Sequence, residues 1–225
     1  ILVFSPFSVY FASLYTEALY IMLSVVGFYY LRTSRELTAS ILGGLLAATR
    51  PVGIMFMVPV FINFIRHRKP LTKLILALAL SSAGLVCYML FLHYRAGDFL
   101  AFKHIQKGWG RTGWDTAHLG KQIWAMITDF HNSVLFLISV LLSLYMLVKK
   151  YYEEALFNLA CILPGVLTGT MMSEGRFCGT LFTFYFGLVV LAEKSWTIKI
   201  SVLMISLVLY MSYYVYWVGH ANFLI

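Results

Sequence analysis

The chain has 225 residues, of which 61% are hydrophobic, 17% aromatic and only 12% charged, with a formal net charge of +8. An apolar share this far above the roughly 45–50% of soluble domains excludes an ordinary water-soluble fold. The surplus cations lie in short clusters between apolar runs rather than on one basic face, which argues against a nucleic-acid partner and for orientation in a lipid bilayer.

The apolar runs are unbroken rather than alternating, so they predict membrane helices across a hydrocarbon core of roughly 30 Å and not a barrel. The chain opens inside such a run, Ile1-Leu2-Val3-Phe4, without an initiator Met, a basic leader or a small-residue cleavage site. It is read as a fragment with helices missing upstream, not as a signal peptide. Ser5-Pro6 breaks the first run, and Tyr15-Thr16-Glu17 starts a helix that continues to Leu31 and meets an interface at Arg32, Arg35 and Glu36. Residues 37–49 are apolar, Arg50-Pro51 interrupts, and the chain is apolar again up to Arg66-His67-Arg68-Lys69.

Basic clusters at both ends of that interval share a side of the membrane, so the chain crosses an even number of times between them. Each half offers about 14 residues, near 21 Å at 1.5 Å per residue, which is short for a full span. The reading is a hairpin of two short helices with its apex at Thr49-Arg50-Pro51, Pro being accommodated as the first residue of the second helix. Non-helical backbone at membrane depth survives only against protein or a water-filled cavity, so Arg50 is expected to face a cavity.

A long helix over residues 71–93 leads to the one extended polar interval, residues 94–130. Its aromatic residues, Trp109 and Trp114 among them, predict an ordered loop over a site rather than a disordered linker. Residues 131–148 return to Lys149-Lys150, residues 155–171 cross again, and Ser173-Glu174-Gly175-Arg176 makes a turn. Residues 178–192 and 200–218 complete the set. The expectation is all-α: one polytopic transmembrane bundle over residues 1–225, with about eight membrane helices including the short hairpin. Cys87, Cys161 and Cys178 lie singly inside apolar runs, with no ligand spacing, and read as buried thiols. No metal site and no cofactor are expected.

On this topology Arg32, Arg35, Arg66, Arg68, Lys69, Lys73, Lys149, Lys150, Lys194 and Lys199 lie on one side and Arg50, Arg95, Lys103, Lys107, Arg111, Lys121 and Arg176 on the other, mostly inside one long loop; the positive-inside bias counts short loops most heavily and makes the first side cytoplasmic. Glu17, Asp98, Asp115, Asp129 and Glu174 gather on the other, with Gln106 and the tryptophans. Charge at or below an interface is costly and marks a pairing or a site. The candidate site residues are Tyr15, Glu17, Arg50, Asp98, Gln106, Trp109, Arg111, Glu174 and Arg176. Asp115, Lys121 and Asp129 read as solvated loop charges.

These residues carry a resemblance. The run from Phe4-Ser5-Pro6-Phe7-Ser8 to Tyr15-Thr16-Glu17-Ala18-Leu19 resembles a signature of the second mannosyltransferase of glycosylphosphatidylinositol anchor assembly and its bacterial relatives. Gly43-Gly44-Leu45-Leu46-Ala47-Ala48-Thr49-Arg50-Pro51-Val52-Gly53 is similar to that family's "GLLAALATATRPVG". Gly97-Asp98-Phe99-Leu100-Ala101-Phe102, Gln106 and Trp109-Gly110-Arg111 are similar to its "GDPLAF…Q…WGR". Ser173-Glu174-Gly175-Arg176-Phe177 resembles a late turn of the family more loosely. Phe99 stands where the family has Pro, and Phe177 where it has Tyr.

The resemblance implies a GT-C-like glycosyltransferase: a multi-helix enzyme taking mannose from a polyprenyl or dolichyl phosphate and passing it to a glycan or glycolipid acceptor. The implied location is the bacterial cell membrane or the endoplasmic reticulum membrane, with the site on the extracytoplasmic or luminal side. Such chemistry needs a base for the acceptor hydroxyl and cations for the departing phosphate. By the resemblance, the base is an Asp upstream of Ile1, Arg50 and Arg176 take the donor phosphate, and Glu17 and Asp98 hold sugar hydroxyls or orient those arginines. Gln106, Trp109 and Arg111 line the mouth. A non-enzymatic transporter or lipid-binding membrane protein is the alternative, although the interrupted pair around Arg50 has no counterpart elsewhere in the chain as paired transporter repeats would.

Overall fold

A computed structural model describes residues 2–12, 15–111, 124, 127–167, 171 and 173–219. All regular structure among them is helical. The helices are α1 (Ser8–Ala12), α2 (Glu17–Arg32), α3 (Glu36–Thr49), α4 (Met57–Arg66), α5 (Leu71–Ala96), α6 (Ala101–His104), α7 (Phe130–Val148), α8 (Tyr152–Val166), α9 (Glu174–Gly179), α10 (Phe182–Ala192) and α11 (Trp196–Val218). Short 3₁₀ turns over Pro51–Phe56 and Ile105–Trp109 join α3 to α4 and extend α6.

The expected helical bundle is present, but not with about eight membrane helices. Among the described residues three helices are long and apolar enough to cross a bilayer, within Leu71–Ala96, Phe130–Val148 and Trp196–Val215. Glu36–Thr49, Pro51–Arg66 and Phe182–Ala192 are apolar but shorter. The 26 residues of α5 reach about 39 Å, whereas the 14 of α3 reach about 21 Å. Two of the expected crossings are also interrupted. The run over residues 155–171 leaves α-helix at Val166, just after an internal Pro164 that removes a backbone donor. The run over 178–192 is divided between α9 and α10 by Thr180 and Leu181.

The turn expected at Arg50-Pro51 is present. Arg50 is extended, Pro51 opens the 3₁₀ turn, and Gly53 donates to the Arg50 carbonyl. Gly53 then lies so close to the Leu46 carbonyl that any Cβ there would overlap it, so the chain folds back on α3. The α3–α5 crossing uses the same device: a Cβ on Gly84 would run into the Gly44 carbonyl. With no hydrophobic drive between helices in lipid, such close backbone contact through small residues is what holds them.

Two internal clusters lock the remaining elements. Phe28 on α2 meets Phe56, Phe157 and Phe182 edge to face at centroid distances of 5.3, 5.4 and 4.8 Å, tying α2 to the 3₁₀ turn, α8 and α10. Asn158 on α8, fully buried, donates to Ser139 Oγ at 2.8 Å and Ser143 Oγ at 2.9 Å on α7 and accepts from Thr183 Oγ1 at 2.7 Å on α10. Cys161 and Cys178 are buried free thiols, as expected, but Cys87 is exposed on α5.

The end of the bundle carrying the basic clusters is closed by ion pairs: Arg32 with Glu154, Arg66 with Glu153, and Lys69 with Glu36. The opposite end carries the polar interval and α9.

Candidate functional site: a cationic cavity at the end of α3

Arg50 reaches its place because α3 stops at Thr49 and the extended residue that follows turns its side chain away from the helix axis. Beneath it Glu17, the first residue of α2, is entirely buried. One Glu17 oxygen lies 3.3 Å from an Arg50 terminal nitrogen and accepts from Arg176 Nε at 2.8 Å; Arg176 Nη2 is 2.6 Å from the same oxygen. A single buried carboxylate thus serves two guanidiniums from α9 and the α3 end. Aromatic rings flank both: Arg176 lies 5.2 Å from the Tyr10 centroid and 4.4 Å from Tyr15, and Arg50 5.8 Å from Tyr20 and 5.4 Å from Phe177.

Arg111 comes to the same neighbourhood from the polar interval. Gly97 ends α5 with φ of 70°, and Gly110 ends the 3₁₀ turn with φ of 73°, a left-handed backbone that glycine adopts without steric cost. Between these two reversals the segment folds back over the bundle end. Arg111 Nη1 donates to Gln106 Oε1 at 3.1 Å, and its guanidinium carbon lies 5.1 Å from the Phe177 ring centre. Phe177 therefore carries two guanidiniums, and burial pulls the Arg111 pKa down from its usual value.

These groups border a cavity of about 500 Å³. Arg50, Lys103, Gln106, Arg111 and Thr180 are among its polar lining, while Val52, Phe102, Ile105, Pro164 and Leu181 are among its apolar walls. Among the described residues no Asp or Glu lines it. A concave site with apolar walls and a few convergent cations suits an anion attached to a hydrocarbon chain. No group of three His, Cys, Asp or Glu residues that could hold a metal occurs among the described residues.

Compared with known proteins, the chain matches no family model, no curated protein and no solved structure. The site therefore rests on its own geometry.

Of the residues singled out in the sequence, Arg50, Gln106 and Arg111 line the cavity, and Glu17 sits behind Arg50. Arg176 is turned to Glu17 and the two tyrosines and is not among the lining residues, and Tyr15 serves as its ring partner. Glu174 is completely buried behind the wall formed by Gly165. Asp98 stays outside: it caps its own turn by accepting from Leu100 N at 2.9 Å and pairs with His104 Nδ1 at 2.6 Å, which holds its carboxyl below the usual range. Trp109 is 55% exposed and away from the cavity. Asp129 caps α7 through Asn132. Trp114, Asp115 and Lys121 fall outside the described residues.

Lys103, Tyr20 and Phe177 are among the lining residues that sequence reasoning passed over as site members. Spacing could have found two of them. Lys103 precedes Gln106 by three residues in a helical segment, and Tyr20 follows Glu17 by three on α2, so each shares a face with a residue already singled out.

Proposed function

We propose that this chain belongs to a membrane-embedded glycosyltransferase of the GT-C type, transferring mannose from a polyprenyl or dolichyl phosphate to a glycan or glycolipid hydroxyl on the extracytoplasmic or luminal face. The observation that carries the reading is the convergence of Arg50, Lys103, Gln106, Arg111 and Phe177 on one cavity. They come from three of the four segments that resemble the family, Phe177 from the one that resembles it more loosely. A lipid-phosphate sugar presents an anion flanked by an isoprenoid on one side and a sugar on the other, and the cavity offers cations flanked by apolar walls.

In the proposed reaction the acceptor oxygen attacks the anomeric carbon, the bond from that carbon to the phosphate oxygen breaks, and the electron pair departs with the phosphate. The charge that develops there meets Arg50 and Arg111, whose planar forks match phosphate oxygens. Cations held ready before the reaction need no reorganisation as the charge forms. Glu17 and Arg176 position the Arg50 guanidinium. The acceptor proton goes to a carboxylate that the family resemblance assigns to the region before Ile1.

The test is a transfer assay with full-length protein, polyprenyl-phosphate mannose and a panel of glycolipid acceptors, read by mass spectrometry of product and released lipid phosphate. Mannosylated acceptor with stoichiometric lipid phosphate is expected. Donor that binds and moves between leaflets of sealed vesicles without any transfer would overturn the enzyme reading in favour of a carrier.

A further inference from the structure

Glu174 begins α9 with no exposed surface, and among the described residues neither of its carboxyl oxygens has a hydrogen-bond partner. A buried polar group left unsatisfied in this way calls for a physical reason. The carboxyl lies against Gly165 of α8, where a Cβ would overlap Oε2. Pro164 and Gly165 in turn form part of the cavity wall. The absence of a side chain at Gly165 is what lets a carboxyl come so close to the cavity from behind.

Burial disfavours the charged form and pushes the Glu174 carboxyl up to about 8, against the pull of Arg111. Among the described residues Tyr145, near the far end of α7, keeps an unbonded hydroxyl, and most other charged and titratable groups on the elements around α9 are engaged elsewhere. Asp129 bonds Asn132, His131 pairs with Tyr213, and Arg176 holds Glu17. Tyr185 donates to the Gly179 carbonyl, Cys161 meets Tyr20, and Glu153 and Glu154 pair with Arg66 and Arg32 at the far end of α8. Cys178, on α9 itself, is a buried thiol. Arg111 is thus the cation whose field Glu174 shares with the cavity.

We infer that the cavity binds its anionic lipid together with a proton, and that Glu174 is the group that takes the proton up. The inference rests on the reading of the cavity as a lipid-phosphate site. Above about pH 8, in the empty cavity, the ionised Glu174 carboxylate is an internal counter-charge to Arg111. An entering phosphate claims Arg111 and adds its own negative charge, so the carboxylate beside it becomes protonated. The sign follows: where Glu174 is already neutral, binding is independent of pH, and where it is ionised, binding must bring in a proton and weakens as pH rises.

The probe is an alkyl phosphodiester, such as dodecyl methyl phosphate, whose single negative charge is constant over the range used. Titrated calorimetrically into detergent-solubilised full-length protein, it is expected to bind with flat affinity from about pH 6 to about pH 7.5 and then to lose up to about tenfold per pH unit above about 8. Glu174→Gln keeps the shape, removes the titration and is expected to hold its affinity over the same range. Proton uptake by the unaltered protein, measured at about pH 8.5 in buffers of different ionisation enthalpy, is expected to approach one proton per ligand. That measurement decides the matter even where the variant does not fold. No phosphodiester binding at any pH would overturn the lipid-phosphate reading itself. Binding without proton uptake, or a pH slope that survives in Glu174→Gln, would overturn the role of Glu174 and leave the cavity reading standing.

Discussion

Arg176 and Glu17, 159 positions apart in the chain, meet through two nitrogens of one guanidinium, with Nε at 2.8 Å and Nη2 at 2.6 Å from the same carboxylate oxygen. The carboxylate is wholly buried and Arg50 reaches it from a third segment. This contact brings the start of α2 and the start of α9 together beneath the end of α3.

Removing the carboxylate leaves two partly buried cations facing each other, and breaking a buried pair from one side costs about 3–5 kcal/mol. Glu17→Ala is expected to lower the thermal unfolding temperature in detergent sharply, and Glu17→Asp by less. Double replacement of Glu17 by Leu and Arg176 by Met is expected to recover part of the loss, because it removes one of the two unpaired charges and leaves only Arg50. Unfolding of Glu17→Ala at the temperature of the unaltered protein would show that the cluster contributes nothing to stability.

Arg50 and Arg66 differ in what a lysine could replace. Arg50 has one nitrogen near Glu17 and borders the cavity, so a lysine cannot both hold the carboxylate and present a fork. Loss of a preorganised donor of this kind costs about a hundred- to a thousandfold in rate, and that is the expected loss of turnover for Arg50→Lys in full-length protein. Arg66 places one nitrogen, Nη1, on both oxygens of Glu153 at an exposed position, a contact a lysine reproduces. Arg66→Lys is expected to keep its activity. Near-normal mannosyl transfer by Arg50→Lys would remove Arg50 from the site.

Glu17, Arg50 and Arg176 are legible in the sequence because each interrupts apolar helix, where charge needs a partner. Their pairing is not legible, since it depends on how α2, α3 and α9 pack. The reading of Arg176 as a phosphate ligand and that of Glu17 as a sugar ligand compete with the contact they make with each other. The helix count departs for a different reason. Apolar runs report what faces lipid or core, not whether the backbone stays helical, and Pro164 and the Thr180-Leu181 break divide runs that look continuous by hydropathy. Glu174 is visible as a charge in a turn, but its burial comes from Gly165, nine positions earlier, and no local pattern signals that contact.

The 26-residue α5 is long enough to cross the bilayer between the basic cluster ending at Lys69 and the segment that carries Lys107. Single cysteines at His67 and Lys107, in a background with Cys87, Cys161 and Cys178 replaced, are therefore expected to react from opposite sides of sealed vesicles with an impermeant thiol reagent. By the positive-inside bias His67 is expected to react from the cytoplasmic side. Reaction of both from one side would sink the assignment of the cavity to the far face.

Asn158 offers the last test, because its side chain joins three helices through contacts that lipid cannot replace. Its amide nitrogen serves Ser139 and Ser143 on α7, and its carbonyl oxygen accepts from Thr183 on α10, all at buried positions. Interhelical hydrogen bonds in membranes average about 0.6 kcal/mol, reaching about 1.7, since the partners find other contacts when the helices separate. Three such bonds lost together, with a cavity left in their place, give an expected loss of about 2–4 kcal/mol for Asn158→Ala. Asn158→Leu fills the space but strands the hydroxyls of Ser139, Ser143 and Thr183, two of which can turn to their own helix carbonyls as serines and threonines do. It is expected to lose less than the alanine variant, about 1–2 kcal/mol. Unfolding in a mixed-detergent titration measures both, and a leucine variant less stable than the alanine variant would mean that hydrogen-bond specificity, not packing volume, dominates the α7–α8–α10 junction.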